Sequence, residues 1–447
     1  MAVPTLQEAI DRAESPVRLL WKANAPRWSP PVVEPEYAGW REEQTAAYET
    51  VALSDLCHHI SDLFIEGPDA VRLLSDHSAN SYRDFAVGQA KQSIMVTEEG
   101  YTVGDNILTR DGAEKFTMSG VPSSQAWIRY HAEAGGYDVS FSLDPDARTR
   151  GGGYPVLFRY QIQGPRALEL VEQVFGGPLP KTKFFHSALV TLGGRTFRAL
   201  RHGMTGQPGY EFIGEWKDGE FIKQALLEAG ESFGLVQVGA WAYSTNALES
   251  GWIPMPTPGI YSAPGLRAYR ESLPALSFDG LNPLRGSFFS ENIQDYYTTP
   301  YELGYGRLIS FDHDFLGRQG LEQSRHDVAR ERVTLVLYAD QARRVWGADS
   351  GDLEFMETQA RFRVEADDQV IGMAFDTGTL APRGTVLSLA LVDKKYATPG
   401  TEVTFVWGEH PGPGTDPDDD RGFERIKATV QASPYNEYVR TRYRAND

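Results

Sequence analysis

The sequence predicts an α+β chain of two or three packed units, ending in a β-rich sandwich or barrel. Three observations carry this expectation. At 447 residues the chain exceeds what one hydrophobic core usually organises. Two segments, 63–74 and 160–171, repeat one strand-to-helix pattern, and beyond about residue 330 the texture turns to short alternating strands.

In the repeat, Leu63-Phe-Ile-Glu-Gly67-Pro68-Asp-Ala70 and Tyr160-Gln-Ile-Gln-Gly164-Pro165-Arg-Ala167 alternate as strands and turn at Gly. Each then places Pro in the first helical turn and continues with apolar residues at helical spacing. Between the two copies, 92–108 predicts a hairpin with a Gly-containing turn, and the polar, glycine-rich stretch 144–153 an exposed connection. Apolar spacing over 216–230 predicts a helix capped by Gly230. A second helix is expected over Ala240–Ser250, stopped by Gly251 and kept from resuming by Pro254. Strands follow at 333–338, 369–374, 385–392 and 402–407, while His410 to Arg421 is too polar to pack and predicts a mobile loop.

Hydrophobic residues at 41% and aromatics at 12% suffice for globular packing. Forty-three basic against 61 acidic side chains leave a net charge of −18. That sign repels nucleic-acid phosphates and anionic lipid, so neither is an expected partner. The N-terminus lacks a basic region followed by an apolar stretch, and no apolar run approaches the ~18 residues of a membrane span. A single cysteine, Cys57, forms no internal disulfide, and together these features predict a cytoplasmic protein.

No phosphate loop, Gly-x-Ser-x-Gly elbow or paired-cysteine zinc pattern occurs. Cys57-His58-His59 superficially suggests a metal, but adjacent side chains diverge and no second cluster completes a site, so no metal is expected. Three stretches concentrate unusual chemistry instead. They are Arg201-His-Gly-Met-Thr-Gly-Gln-Pro-Gly-Tyr-Glu211, Tyr243-Ser-Thr-Asn-Ala-Leu-Glu-Ser-Gly-Trp252 and Leu303-Gly-Tyr-Gly306.

Together these stretches resemble the folate-binding core of the glycine-cleavage T-protein superfamily, in particular its tetrahydrofolate-dependent aryl-methyl-ether O-demethylases acting on vanillate and methylgallate. The resemblance runs from about Val17 to Val406. It implies a T-protein-like arrangement of three subdomains around a central channel: a folate-binding core from 1–55 and 155–325, a second α+β unit from 56–154, and a β-rich unit from 326–447. It further implies tetrahydrofolate as methyl acceptor and a small methoxy-aromatic as donor, giving 5-methyltetrahydrofolate and a phenol.

By the same resemblance Glu211, in Gly209-Tyr-Glu211, holds the pterin edge, whose N–H and amino group match the two acceptors of an ionised carboxylate. A lone strand Glu is otherwise more often a solvated surface group. Gln161, Phe184 and Trp252 fall on a glutamine and an aromatic pair around folate, with Tyr160 replacing a family phenylalanine. Asp105 falls on an aspartate near the reacting centre, although its Gly104 and Asn106 neighbours suit a simple turn equally well. Glu249, six residues beyond Tyr243, is expected to support the helix.

Tyr243 is the proposed general acid. The T-protein has Ala-Arg-Asp where this chain has Ala242-Tyr243-Ser244, close to the demethylases' Ala-Tyr-Pro. An ether releases a phenoxide, a poor leaving group unless protonated, and a tyrosine of ordinary pKa about 10 nearly matches the departing phenol. His59 falls on a histidine able to bond a ring oxygen, and Trp28 on a pocket aromatic.

Three pocket positions depart from the vanillate pattern. Val121 stands where an arginine clamps the substrate carboxylate, Leu56 where a glutamine precedes the His pair, and Pro30 where a tyrosine precedes Pro-Val-Val. A carboxylate buried without its cation is strongly unfavourable, so a neutral, guaiacol-type donor is expected unless Arg129 or another cation enters from elsewhere. Two alternatives stay open: demethylation of a sulfonium or N-methyl donor, and a folate-binding regulatory protein without turnover. The oligomeric state is not legible.

Overall fold

The computed structural model describes residues 3–442 except 24, 27 and 350. Three β-sheets each organise a unit, and each follows from alternation in the strands. In the first sheet the strands run Leu235–Val238, Val51–Asp55, Leu157–Gln163, Gly209–Glu215, Arg195–Arg201, Ser187–Leu192 across the sheet. Only the first pair is parallel. Phe158, Tyr160 and Ile162 point into a core with Ile222 and Leu226 of the helix Trp216–Gly230. With a period of two, Arg159, Gln161 and Gln163 project from the opposite face, and all three are buried.

The second sheet orders its strands Ala90–Val96, Thr102–Arg110, Lys115–Gly120, Ser61–Glu66, Ser140–Asp144. The expected hairpin is its first pair, turning through Gly100 at φ +86°. Gly67 and Gly164, the turns of the sequence repeat, have φ +153° and +140°. A side chain at either would collide with a backbone carbonyl, that of Asp138 or Thr50, so the repeat preserves a close backbone approach.

The third sheet settles sandwich against barrel. Strands Gln369–Leu380, Phe362–Ala366, Glu402–Trp407, Glu424–Ala432, Arg330–Leu337 and Thr385–Asp393 form a six-stranded cycle, closed by pairing of the last with the first. Val333, Leu335, Val364, Phe405 and Val430 fill its core.

Four expectations need correction. Residues 6–21 and 248–321 do not pack as a body with the first sheet; Leu6, Val17, Leu20, Tyr269 and Leu273 share the core of the second, with Trp127 edge-on to Tyr269 at 4.8 Å. The first unit's own core therefore comes from residues 51–57, 158–212 and 222–233. Gly230 ends its helix without a left-handed cap, which Gly234 supplies one 3₁₀ turn later at φ +68°. The helix expected over 240–250 breaks at Thr245 into Ala240–Ser244 and Asn246–Ser250, with the Thr245 hydroxyl bonded to the Ala242 carbonyl at 2.8 Å. Finally, the polar stretch from His410 is anchored at its start while most of 411–421 stays exposed: the His410 ring is buried, stacked on Phe289 at 4.4 Å, accepting from Gly412 N–H at 2.9 Å and donating to the Asp416 carbonyl at 2.9 Å. The polarity of the His410 ring is thus met by backbone groups of its own loop.

Candidate active site

Side chains from all three units line one cavity of about 910 Å³. The polar face of Leu157–Gln163 forms part of its wall because antiparallel pairing sets Glu211 opposite Gln161, and Gln161 opposite Ser54. Arg159 lies between two carboxylates: Nη1 donates to Glu211 at 2.7 Å, and Nη2 to Asp62 at 3.1 Å and to Ser119 at 3.1 Å. Burial alone would raise the Glu211 carboxyl, but the His202 hydrogen bond and the Arg159 charge outweigh it and hold the pKa near 2. Glu211 is therefore an ionised acceptor at neutral pH.

An aromatic cradle flanks it. Phe184 stacks on Phe185 at 4.3 Å and Phe185 on His202 at 5.0 Å, and Nδ1 of His202 lies 3.4 Å from Glu211 Oε2. Phe185 holds φ +58°, a left-handed conformation costly for a bulky side chain, while its backbone bonds Ala90 and Arg201. Gln161 lies beneath rather than in the lining: its Nε2 is 3.3 Å from His202 Nδ1, and its buried Oε1 has no partner.

Asp105 and Trp252, distant in sequence, meet here. The indole N–H donates to Asp105 Oδ2 at 2.9 Å, and Gln92 donates to the same oxygen at 2.5 Å. Burial raises the Asp105 pKa, partly offset by those two donors. Asp105 lies mid-strand within Thr102–Arg110, not in the turn its neighbours allowed.

Tyr243 faces the cavity from the end of its short helix. Its hydroxyl lies 2.7 Å from His59 Nε2, and His59 stands edge-on to Tyr243 and to Trp28 with ring centroids 4.7 and 5.7 Å away. Burial lowers the His59 pKa to about 3, so the imidazole is neutral, and its buried Nδ1 has no partner. Burial followed by the Glu211 charge pushes the Tyr243 phenol above its ordinary value. His58 turns the other way, toward Trp216 at 5.6 Å. Glu249 is buried away from the cavity, paired with Arg383 at 2.7 Å and Asn436 at 3.3 Å.

Trp28, Leu56 and Val121 line the cavity as expected, but Pro30 does not; it is buried, and Pro31 lines the wall instead. Arg129 is exposed on the helix Pro122–Gly135 and absent from the lining, whereas Arg148 is part of it. Sequence reasoning missed Arg159, His202, Phe185, Gln92 and Arg148. His202 sits within the stretch 201–211, Phe185 directly follows Phe184, and Arg159 carried a signal: a charge on the polar side of an alternating strand. Among the described residues no group of three or more His, Cys, Asp or Glu could hold a metal ion, and no helix is long and apolar enough to cross a membrane.

An ionised carboxylate beside an aromatic cradle, sharing one cavity with a phenol–imidazole pair, defines a site for small-molecule group transfer. The chain belongs to the GCVT family: the model of the GCVT N-terminal domain matches residues 20–256. It is 37% identical over 451 aligned residues to a syringate O-demethylase of Sphingobium sp. strain SYK-6, covering 98% of this chain and 97% of the relative. A sesamin methylene transferase of Sinomonas sp. strain No.22 is 28% identical over 90% of this chain and 89% of its own. The crystal structure of aminomethyltransferase T from Bartonella henselae shares the fold over 98% of this chain and 99% of its own, with a TM-score of 0.63 at 18% identity.

Proposed function

We propose that this protein is a tetrahydrofolate-dependent O-demethylase that moves the methyl group of a methoxy-aromatic to tetrahydrofolate, giving 5-methyltetrahydrofolate and a phenol. The observation that carries the reading is the Tyr243–His59 pair at 2.7 Å, sharing a cavity with an ionised Glu211. The relatives named above support it, since one removes a methyl group from an oxygen of syringate and another moves a methylene group of sesamin.

The residues present fit a reduced pterin. Glu211 supplies acceptors for adjacent N–H groups, Gln161 supports His202 from beneath, and Phe184, Phe185 and His202 offer ring faces. Tetrahydrofolate, when bound, supplies the nucleophilic nitrogen N5 that accepts the methyl group. Asp105, anchored by Trp252 and Gln92, serves as a fixed polar group beside the reacting atoms.

When the methyl–oxygen bond breaks, the bonding pair stays on the aryl oxygen, which needs a hydrogen-bond donor. A neutral His59 with its hydrogen on Nε2 donates to Tyr243 Oη and leaves the phenolic hydrogen free for that oxygen. The raised Tyr243 pKa keeps the phenol protonated but makes it a weaker acid than the leaving phenol. Full proton transfer is thus uphill, and the His59 bond offsets it by stabilising negative charge that builds on Oη. A sulfonium or quaternary N-methyl donor leaves as a neutral group and has no use for this pair. The buried thiol of Cys57 is consistent with a reducing, cytoplasmic setting. Incubating the protein with tetrahydrofolate and a panel of methoxyarenes tests the reading; it fails if no methoxyarene yields 5-methyltetrahydrofolate.

A further inference from the structure

We infer that Arg148 is the cation that receives a carboxylate on the aromatic donor, so that methoxybenzoates are turned over even though Val121 replaces the expected clamp. The inference rests on the demethylase reading and adds the charge class of its substrate.

The loop carrying Arg148 is folded by its own chemistry. Asp146 Oδ1 accepts from the backbone N–H of Arg148 at 2.7 Å and of Thr149 at 3.3 Å, closing an Asx turn. Arg150 pairs with Asp144 at 2.9 Å, and the Ala147 N–H donates to the His58 carbonyl at 2.8 Å. That last bond straps the loop to the residue preceding His59. Arg148 is thereby held at the cavity wall, with its guanidinium carbon 5.9 Å from the Trp28 ring centroid and Nη2 donating to the Ser29 carbonyl.

The spatial order is then Tyr243, His59, Trp28, Arg148. A ring lying along Trp28 with an oxygen at the Tyr243–His59 pair directs its far edge toward Arg148. Among the described residues no carboxylate pairs with Arg148; Asp146, the nearby acid on its own loop, is turned onto backbone amides. Arg148 is exposed, so it bears no burial penalty before the anion arrives. Nη2 spends one of its two N–H groups on Ser29, and the other, beside Nε–H or Nη1–H, leaves one edge of the guanidinium for a forked bond to a carboxylate.

The test compares 4-hydroxy-3,5-dimethoxybenzoate with its uncarboxylated counterpart, 2,6-dimethoxyphenol, on the unmodified protein, Arg148→Gln and Arg148→Lys. Steady-state turnover with tetrahydrofolate and calorimetric binding are both recorded. Arg148→Gln should raise KM and Kd for the benzoate by about 10- to 100-fold, from loss of a charge-assisted bond, with kcat little changed and the neutral phenol unaffected. Arg148→Lys should recover part of the loss. Equal effects on both compounds would mean that Arg148 merely fastens the Ser29 segment, and no effect on either would mean that it binds nothing; both overturn the inference while leaving demethylation intact. If neither compound is demethylated, yet the benzoate still binds the unmodified protein more tightly than Arg148→Gln, the carboxylate site stands and the demethylase reading falls.

Discussion

The Tyr243 hydroxyl lies 2.7 Å from Nε2 of a His59 that burial keeps neutral down to about pH 3. The two residues are 184 positions apart, one in a turn between the first and second sheets and the other at the end of a short helix. Their pairing fixes the phenol oxygen at the wall of the cavity.

Tyr243→Phe keeps the ring packing and deletes only the donor. Turnover should fall by about 10²–10⁴-fold while tetrahydrofolate affinity stays at the parent value. Parent-like turnover of a methoxyarene would place the donor elsewhere.

His59 should leave its mark on stability rather than on the pH–rate profile. Its folded pKa of about 3 lies below its usual 6.5, so the unfolded chain binds a proton that the folded chain refuses. Stability should therefore decline as pH falls from about 6.5 toward 3, and His59→Phe should flatten part of that slope in thermal melts. No titration of His59 should appear in kcat between pH 5 and 8. A slope unchanged in the variant contradicts a buried neutral His59.

Glu211→Ala should weaken tetrahydrofolate binding by roughly 1.5–3 kcal/mol for each charge-assisted bond lost. With its pKa lowered from 4.5 to about 2, Glu211 contributes its stability fully above pH 4.5 and loses it as pH falls toward 2. Affinity should consequently be insensitive to this group from pH 5 upward. Unchanged calorimetric affinity in a folded variant would remove Glu211 from the role.

Arg159→Met leaves Glu211 and Asp62 buried without their shared cation. Removing one partner of a buried ion pair costs about 3–5 kcal/mol, so the denaturation midpoint should drop markedly and folate affinity with it. A variant as stable as the parent would show that Asp62 and Glu211 do not depend on Arg159.

The β texture of the C-terminal third was legible from short apolar runs such as Thr385–Asp393, where pairing on both sides buries nearly every residue; closure into a barrel was not, because a run buried throughout carries no alternation to tell barrel from sandwich. Subdomain membership was not, since 6–21 and 248–321 join the second core through contacts far along the chain, such as Leu6 N–H to the Leu273 carbonyl at 2.7 Å. Within the site, Tyr243, His59 and Glu211 stood out by residue type and motif. Arg148 did not: a cation in a polar, glycine-rich loop looks like any solvated arginine until the Ala147–His58 bond shows where the loop is tied. Pro30 erred by one residue, because an irregular segment carries no periodicity to fix which proline faces the cavity.

The most direct test of methyl transfer uses a methoxybenzoate labelled as O–CD₃, incubated with the unmodified protein and tetrahydrofolate in a single turnover and read by mass spectrometry. All three deuterons should appear on 5-methyltetrahydrofolate, in equal amount to the phenol released. Label recovered as methanol or formaldehyde, or a folate that stays unlabelled while the phenol accumulates, would contradict direct transfer of the intact methyl group.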